Sequence, residues 1–195
     1  DRKQVRLRGT RRRLVEETQK REPAAAQACV IRRSRPEQLD EIMEIYAGAR
    51  TFMAEHGNPT QWGTTHPTWE MVESDIEKGL GYVCMAGDRI AAVFHYRLGE
   101  DATYRVIEDG NWLNDRPYGV VHRIASAGIA KGAASYCLEW ALEQSGNLRI
   151  DTHRNNTVMQ SLLKKLGFTY CGIIHVEDGS ERLAYQKDGK QTQAL

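Results

Sequence analysis

Val120-Val121-His122-Arg123-Ile124-Ala125-Ser126-Ala127-Gly128-Ile129-Ala130-Lys131-Gly132-Ala133-Ala134-Ser135 opens the stretch whose reading decides the fold, and that stretch runs on to Phe168. Val120, Val121, Ile124 and Ala125 read as an apolar strand, after which Ala133, Cys137, Trp140 and Ala141 recur at helical spacing. A helix is therefore expected to start near Gly132. Its first-turn N–H groups have no intrahelical partners, and the aligned peptide dipoles place partial positive charge there. Small side chains at Gly132, Ala133 and Ala134 let a phosphate approach that backbone closely, and Lys131 adds a full positive charge. Glycine and alanine at a helix start serve close helix packing just as often, so the turn by itself leaves both readings open.

The segment downstream shifts that balance. Asn147 to Thr152 reads as a short strand, and Asn155 or Asn156 can cap a helix with Met159, Leu162, Leu163 and Leu166 on one face. Gly167 suits a left-handed helix stop, with another strand beginning at Phe168. Working outward, Ala28 to Arg33 is a first strand, and Ser34 with Glu37 has the spacing of a capping box. The helix that follows carries Leu39, Ile42, Met43, Tyr46, Ala49 and Met53 on one face. A polar break from Gly57 to Gly63 precedes a second helix, begun around Pro67 and carrying Trp69, Val72 and Ile76. Tyr82 to Ala86 and Arg89 to Tyr96 are strands about a turn, and Phe168 to Val176 with Arg182 to Gln186 form a closing hairpin. The expected fold is α/β (α+β): a mixed, mostly antiparallel twisted sheet of about seven strands with helices on both faces.

These segments resemble the GNAT superfamily of acetyl-CoA-dependent N-acetyltransferases. The family's pyrophosphate loop, Gln/Arg-x-x-Gly-x-Gly/Ala, is matched with Gly132 and Ala134 in its small-residue positions, and its Asn-helix-Leu-Gly-Phe motif is matched from Asn156 through Leu166, Gly167 and Phe168. The segments His122 to Ala125 and Arg149 to His153 are similar to those of a bacterial subgroup. Two positions depart from the pattern: Ile129 replaces the usual first Gln or Arg of the loop, and Leu163 stands where the family has a general-acid tyrosine.

The resemblance implies acetyl-CoA as co-substrate, held between the central strand and Leu148 to Thr152 by Ile124, Ala125, Ser126, Lys131, Gly132, Ala133, Ala134, Ser135, Asn155 and Asn156. A bulge near Ala125 and Ser126 would aim backbone N–H groups at the thioester carbonyl. The acceptor amine, on a small molecule or peptide, is mostly protonated at neutral pH, so a base of near-neutral pKa is needed. His122 and His153 both qualify, and Asp151 falls on the strand face of His153 and could orient it. Tyr170 is the nearest tyrosine to the missing acid, with water as the alternative proton source. Gln61 and Trp62 fall where the family places its acceptor wall. Tyr104 and Trp112 either line a cavity or pin a long loop. A sensor that holds acetyl-CoA without catalysis is the alternative reading.

The chain has 195 residues, 41% hydrophobic and 27% charged, which suits one globular domain. Residues 28 to 190 are expected to be that domain. Residues 1 to 27 read as a flexible basic extension, with nine Lys or Arg against four acids up to Glu22, and residues 191 to 195 as a tail. The bland reading of that extension as a solvated arm outweighs nucleic-acid binding. No apolar run of about 18 residues suggests a membrane span, and no leader pattern is seen, so a cytoplasmic location is expected. Cys29, Cys84, Cys137 and Cys171 show no paired spacing and are expected as free thiols, and the histidines suggest no metal site. A homodimer through terminal strands is compatible with the resemblance.

Overall fold

The computed structural model describes residues 29 to 190, so the expected basic extension, residues 1 to 27, and the expected tail, residues 191 to 195, lie outside the described residues. Seven strands form one sheet in the order β1-β2-β3-β4-β5-β7-β6. They are β1 (Cys29–Arg33), β2 (Gly81–Ala86), β3 (Arg89–Leu98), β4 (Gly119–Ser126), β5 (Asn147–Thr152), β6 (Thr169–His175) and β7 (Glu181–Asp188). Four α-helices join them: α1 (Leu39–Glu55), α2 (Trp69–Glu77), α3 (Ala133–Ser145) and α4 (Thr157–Lys165). Every neighbouring pair of strands is antiparallel except β4 with β5, which the α3 crossover makes parallel.

Strand alternation divides the core between the two faces of the sheet. Cys84 and Phe94 pack with Cys137, Leu138 and Leu163 under α3 and α4, while their neighbours Val83 and Val93 pack with Ile42, Tyr46 and Val72 under α1 and α2. In β4 the parity changes within the strand. Val121 belongs to the α3 face but Ala125 to the α1 face, although an even spacing should keep them together. One extra residue accounts for this: Val93 pairs with Ala125 and His95 with His122, so Phe94 of β3 faces both Arg123 and Ile124 of β4.

The first helix begins differently from the expectation. Arg35, not Ser34, precedes the helical turn Pro36–Gln38, and its N–H donates to Gln38 Oε1 at 2.9 Å. Pro36 takes the first helical position because its ring fixes φ there, which moves the cap one residue along and leaves Ser34 buried against Gly81. At the other end of the chain the expected strand boundaries extend: β7 reaches Asp188 and pairs along all of β5.

The four cysteines are free, and Cys84 and Cys137 are fully buried. Among the described residues no helix is long and apolar enough to cross a membrane. None of their His, Cys, Asp and Glu side chains form a group able to hold a metal ion.

Candidate active site

Between β4 and β5 the ladder is short. Only Gly119 with Leu148 and Val120 with Arg149 are paired, and beyond them the strands part. From Val121 onward one edge of β4 therefore carries main-chain donors and acceptors with no strand partner, in the middle of a sheet. A cleft of about 1590 Å³ fills the gap, bounded by the 121 to 129 stretch, Ala134, Asp151, Asn156, Gln61, Trp62, His66, Asp101 and Arg182, among others.

At one end of this cleft the α3 N-terminus is open. The first helical hydrogen bond runs from Tyr136 N–H to Gly132 O, so the amides of Ala133, Ala134 and Ser135 are not used by the helix. Gly132 has a φ of +79°, a conformation that glycine adopts without strain, and a Cβ built there meets nothing within 4 Å. That open space, beside free amides at a positive helix pole, fits a diphosphate. Lys131 is exposed next to it. On α4, Asn156 is the cap: its Oδ1 accepts from Met159 N–H at 3.0 Å, while the exposed Asn155 gives its N–H to His153 Nδ1 at 3.0 Å.

At the other end, side chains from distant parts of the chain converge on His122. Asp101 Oδ2 lies 2.7 Å from His122 Nε2, and a carboxylate only accepts, so Nε2 carries the proton. Thr103 braces the same carboxylate with its N–H at 2.9 Å and its hydroxyl at 2.6 Å. Burial raises the Asp101 carboxyl, but the hydrogen bonds from His122 and Thr103 outweigh it and hold the group well below the usual carboxylate range. The remaining His122 nitrogen, Nδ1, is 3.8 Å from Asp151 Oδ2, too far for a hydrogen bond and near enough for an intervening polar hydrogen to be shared. Tyr104, 1% exposed, donates to Asp151 at 2.6 Å. Its phenol is raised well above the ordinary value, by burial first and the Asp151 charge second, so it stays a donor.

Beside His122 the chain takes an uncommon backbone conformation. Arg123 has a φ of +50°, and left-handed geometry costs a residue with a Cβ about 1–2 kcal/mol. Its guanidinium reaches both oxygens of Asp75 at 2.8 and 2.7 Å, and Tyr46 donates to its carbonyl at 2.7 Å. His95 Nδ1 is also 3.0 Å from Asp75, yet burial first, opposed by that bond and helped by Arg123, lowers the imidazole. His95 is thus a neutral hydrogen-bond partner, and Arg123 is the charge partner of Asp75.

The sequence-designated residues are distributed unevenly over this site. His122, Asp151, Ile124, Ala125, Ser126, Ala134, Asn156, Gln61 and Trp62 all face the one cleft. The bulge lies at Arg123 and Ile124 rather than near Ala125 and Ser126, which pair normally with Val93 and Ala92. Asp151 faces His122 and not His153, because β5 ends at Thr152 and His153 turns into the α4 cap. Tyr170 is 49% exposed on the outer strand β6 and packs against Tyr185 away from the cleft. Trp112 donates to Tyr104 O at 2.9 Å and stacks on Arg149 at 4.2 Å, which pins the loop instead of lining the cavity. Tyr104 itself is buried and reaches the site only through Asp151. Leu163 is fully buried in the core, and its aliphatic side chain has no proton to give. Asp75, His95, Asp101 and Arg123 were not singled out, since nothing local marks a contact between residues 21 or 48 positions apart.

No protein-family model and no curated protein matches the chain. Solved structures do. A GNAT-family acetyltransferase from Streptococcus agalactiae is 32% identical, with 84% of this chain and 97% of that one covered at a TM-score of 0.76. A putative acetyltransferase from Staphylococcus aureus is 24% identical, with 82% and 98% covered at a TM-score of 0.60. A chain of the NatC complex bound to Gag peptide and CoA shares the fold at 11% identity, with 82% and 98% covered and a TM-score of 0.55. The chain belongs to the GNAT family of acetyltransferases. An acetyltransferase role follows at that level from the neighbours.

Proposed function

We propose that the protein transfers an acetyl group from acetyl-CoA to a primary amine of a small molecule or peptide. The observation that carries this reading is a single cleft, opened by the parting of β4 and β5, with free helix-start amides at one end and the His122–Asp101 pair at the other. Acetyl-CoA, when bound, supplies the activated acyl carbon. Ala133, Ala134 and Ser135 amides hold its diphosphate, with Lys131 adding charge. The unpaired main-chain amides of β4 after the bulge hydrogen-bond the carbonyl oxygen on which negative charge develops. His122 Nδ1 takes one proton of the incoming ammonium, with the Asp101 carboxylate stabilising the imidazolium so formed; that proton then goes to the departing thiolate, and the second proton that the nitrogen loses on becoming an amide leaves to solvent. Gln61 and Trp62 form the acceptor wall.

Thermal-shift measurement with acetyl-CoA, followed by thiol release with a library of primary amines, tests this reading. A rise in melting temperature with thiol release that depends on the amine supports transfer. A rise with no thiol release for any amine leaves a coenzyme-binding protein and removes the enzyme.

A further inference from the structure

Arg123 is a residue with a Cβ in the left-handed position of a β-bulge, where glycine is ordinarily found. Three elements hold it there. Asp75 comes from α2 and takes the guanidinium on both oxygens, Tyr46 comes from α1 and donates to the carbonyl, and His95 comes from β3 with its Nδ1 3.0 Å from Asp75 Oδ1 and 3.1 Å from the Arg123 guanidinium. All three are at most 8% exposed, and Asp75 and His95 stand with Arg123 at the cleft wall. Among the described residues the buried Arg123 Nε atom has no partner, and Asp75 is the one carboxylate in salt-bridge distance of the guanidinium. The residues it fixes are the ones that leave the ladder: Arg123 and Ile124 stand between the His95–His122 and Val93–Ala125 pairings and line the cleft.

We infer that Asp75 is a positioning residue for acetyl transfer: by clamping Arg123 it sets the direction of the main-chain amide at the bulge, that of Ile124, beside the cleft. Its action passes through the backbone and requires no contact with substrate. The Arg123 charge is there to be clamped, and the inference rests on the acetyl-transfer reading for its kinetic consequence.

Two variants and a double variant test it in the full chain. Asp75→Asn keeps shape but leaves a buried cation without its counter-charge. Arg123→Gly removes the cation and supplies a residue that adopts the bulge conformation unaided. Amide hydrogen exchange at Ile124 reads the backbone whether or not the protein transfers anything, and kcat and KM for acetyl-CoA read the consequence. Asp75→Asn is expected to speed exchange at that amide by about tenfold and to lower kcat by about 10- to 100-fold with KM for acetyl-CoA unchanged. Arg123→Gly, and Asp75→Asn combined with it, are expected to retain most of kcat and slow exchange, a rescue that restored fold stability alone would not direct to kcat rather than KM. Unchanged exchange and kcat in Asp75→Asn overturns the inference. So does an Arg123→Gly protein that loses as much kcat as Asp75→Asn while exchange stays slow, since the guanidinium itself would then be acting in the cleft. Altered exchange in a wild-type background that releases no thiol retains the brace and defeats the transfer reading instead.

Discussion

The proposed diphosphate site at the start of α3 rests on main-chain N–H groups, whereas the proposed proton transfer at His122 rests on side chains drawn from three separated stretches of the chain. The first arm of the cleft asks little of residue identity. Any small residue that leaves the amides of Ala133 to Ser135 uncovered will serve, and only bulk or negative charge defeats it. The second arm is specific residue by residue, because Asp101 with His122 and Asp151 with Tyr104 are hydrogen-bonded pairs in a partly buried setting, set 3.8 Å apart between His122 Nδ1 and Asp151. Backbone-built and side-chain-built sites therefore fail in different ways.

The largest expected effect tests the backbone arm. Gly132→Glu puts a carboxylate into the open space at the helix start and should abolish the thermal shift with acetyl-CoA, a shift worth about 2.7 kcal/mol at roughly a hundredfold excess over Kd. A shift of unchanged size would remove the diphosphate from that turn. His122→Gln should leave the thermal shift in place and lower kcat by about 10²- to 10⁴-fold, with a smaller loss for Asp101→Asn. If both variants keep wild-type kcat, the side-chain arm is structural only.

Acid stability sharpens the contrast, since the titrating groups lie on the acceptor side. Burial is the first cause that lowers the imidazoles of His66, His95 and His153 below 6.5, so the fold favours their neutral form. The unfolded chain then takes up protons first, and stability present above pH 6.5 is lost as pH falls below it. Asp75 and Asp101, whose partners overcome burial and hold them below 3.8, add stability that is full above that value and disappears as pH drops through their lower folded values. Melting temperature should accordingly decline in two stages on acidification, and one that stays level from neutrality to about pH 5 contradicts the burial of these histidines. Asn156→Ala removes the α4 cap and should cost about 1 kcal/mol, read as a drop of roughly 2–4 °C in melting temperature. The smallest effect is that of Tyr170→Phe, for which kcat should be unchanged, because the phenol points away from the cleft.

Legibility in the sequence followed the same division. The β5 limits, the Gly132 start of α3 and the Asn156 cap of α4 were readable because each is written in adjacent residues: alternation, a glycine, an asparagine before an apolar face. The bulge was placed two residues late because bulge position depends on the partner strand, and β3 leaves no mark in the sequence of β4. His122 stood out by residue type, but Asp101 did not. It sits in a stretch that gave no periodic signal, and it meets His122 only because β3 and β4 are antiparallel neighbours. Trp112 and Tyr104 were recognised as aromatic residues in a polar loop, and packing against the buried Arg149 decided between lining and pinning.

Gln61 Oε1 accepts from Asn58 Nδ2 at 2.8 Å and from Asn156 Nδ2 at 3.0 Å, which occupies both of its lone pairs. One oxygen atom thus joins the wall that would meet the amine to the residue that starts α4. Altering amine preference through position 61 would then also slacken the start of α4, and a broader appetite for acceptors is more readily reached through Trp62, whose ring packs on Tyr46 and His66 instead of on that helix.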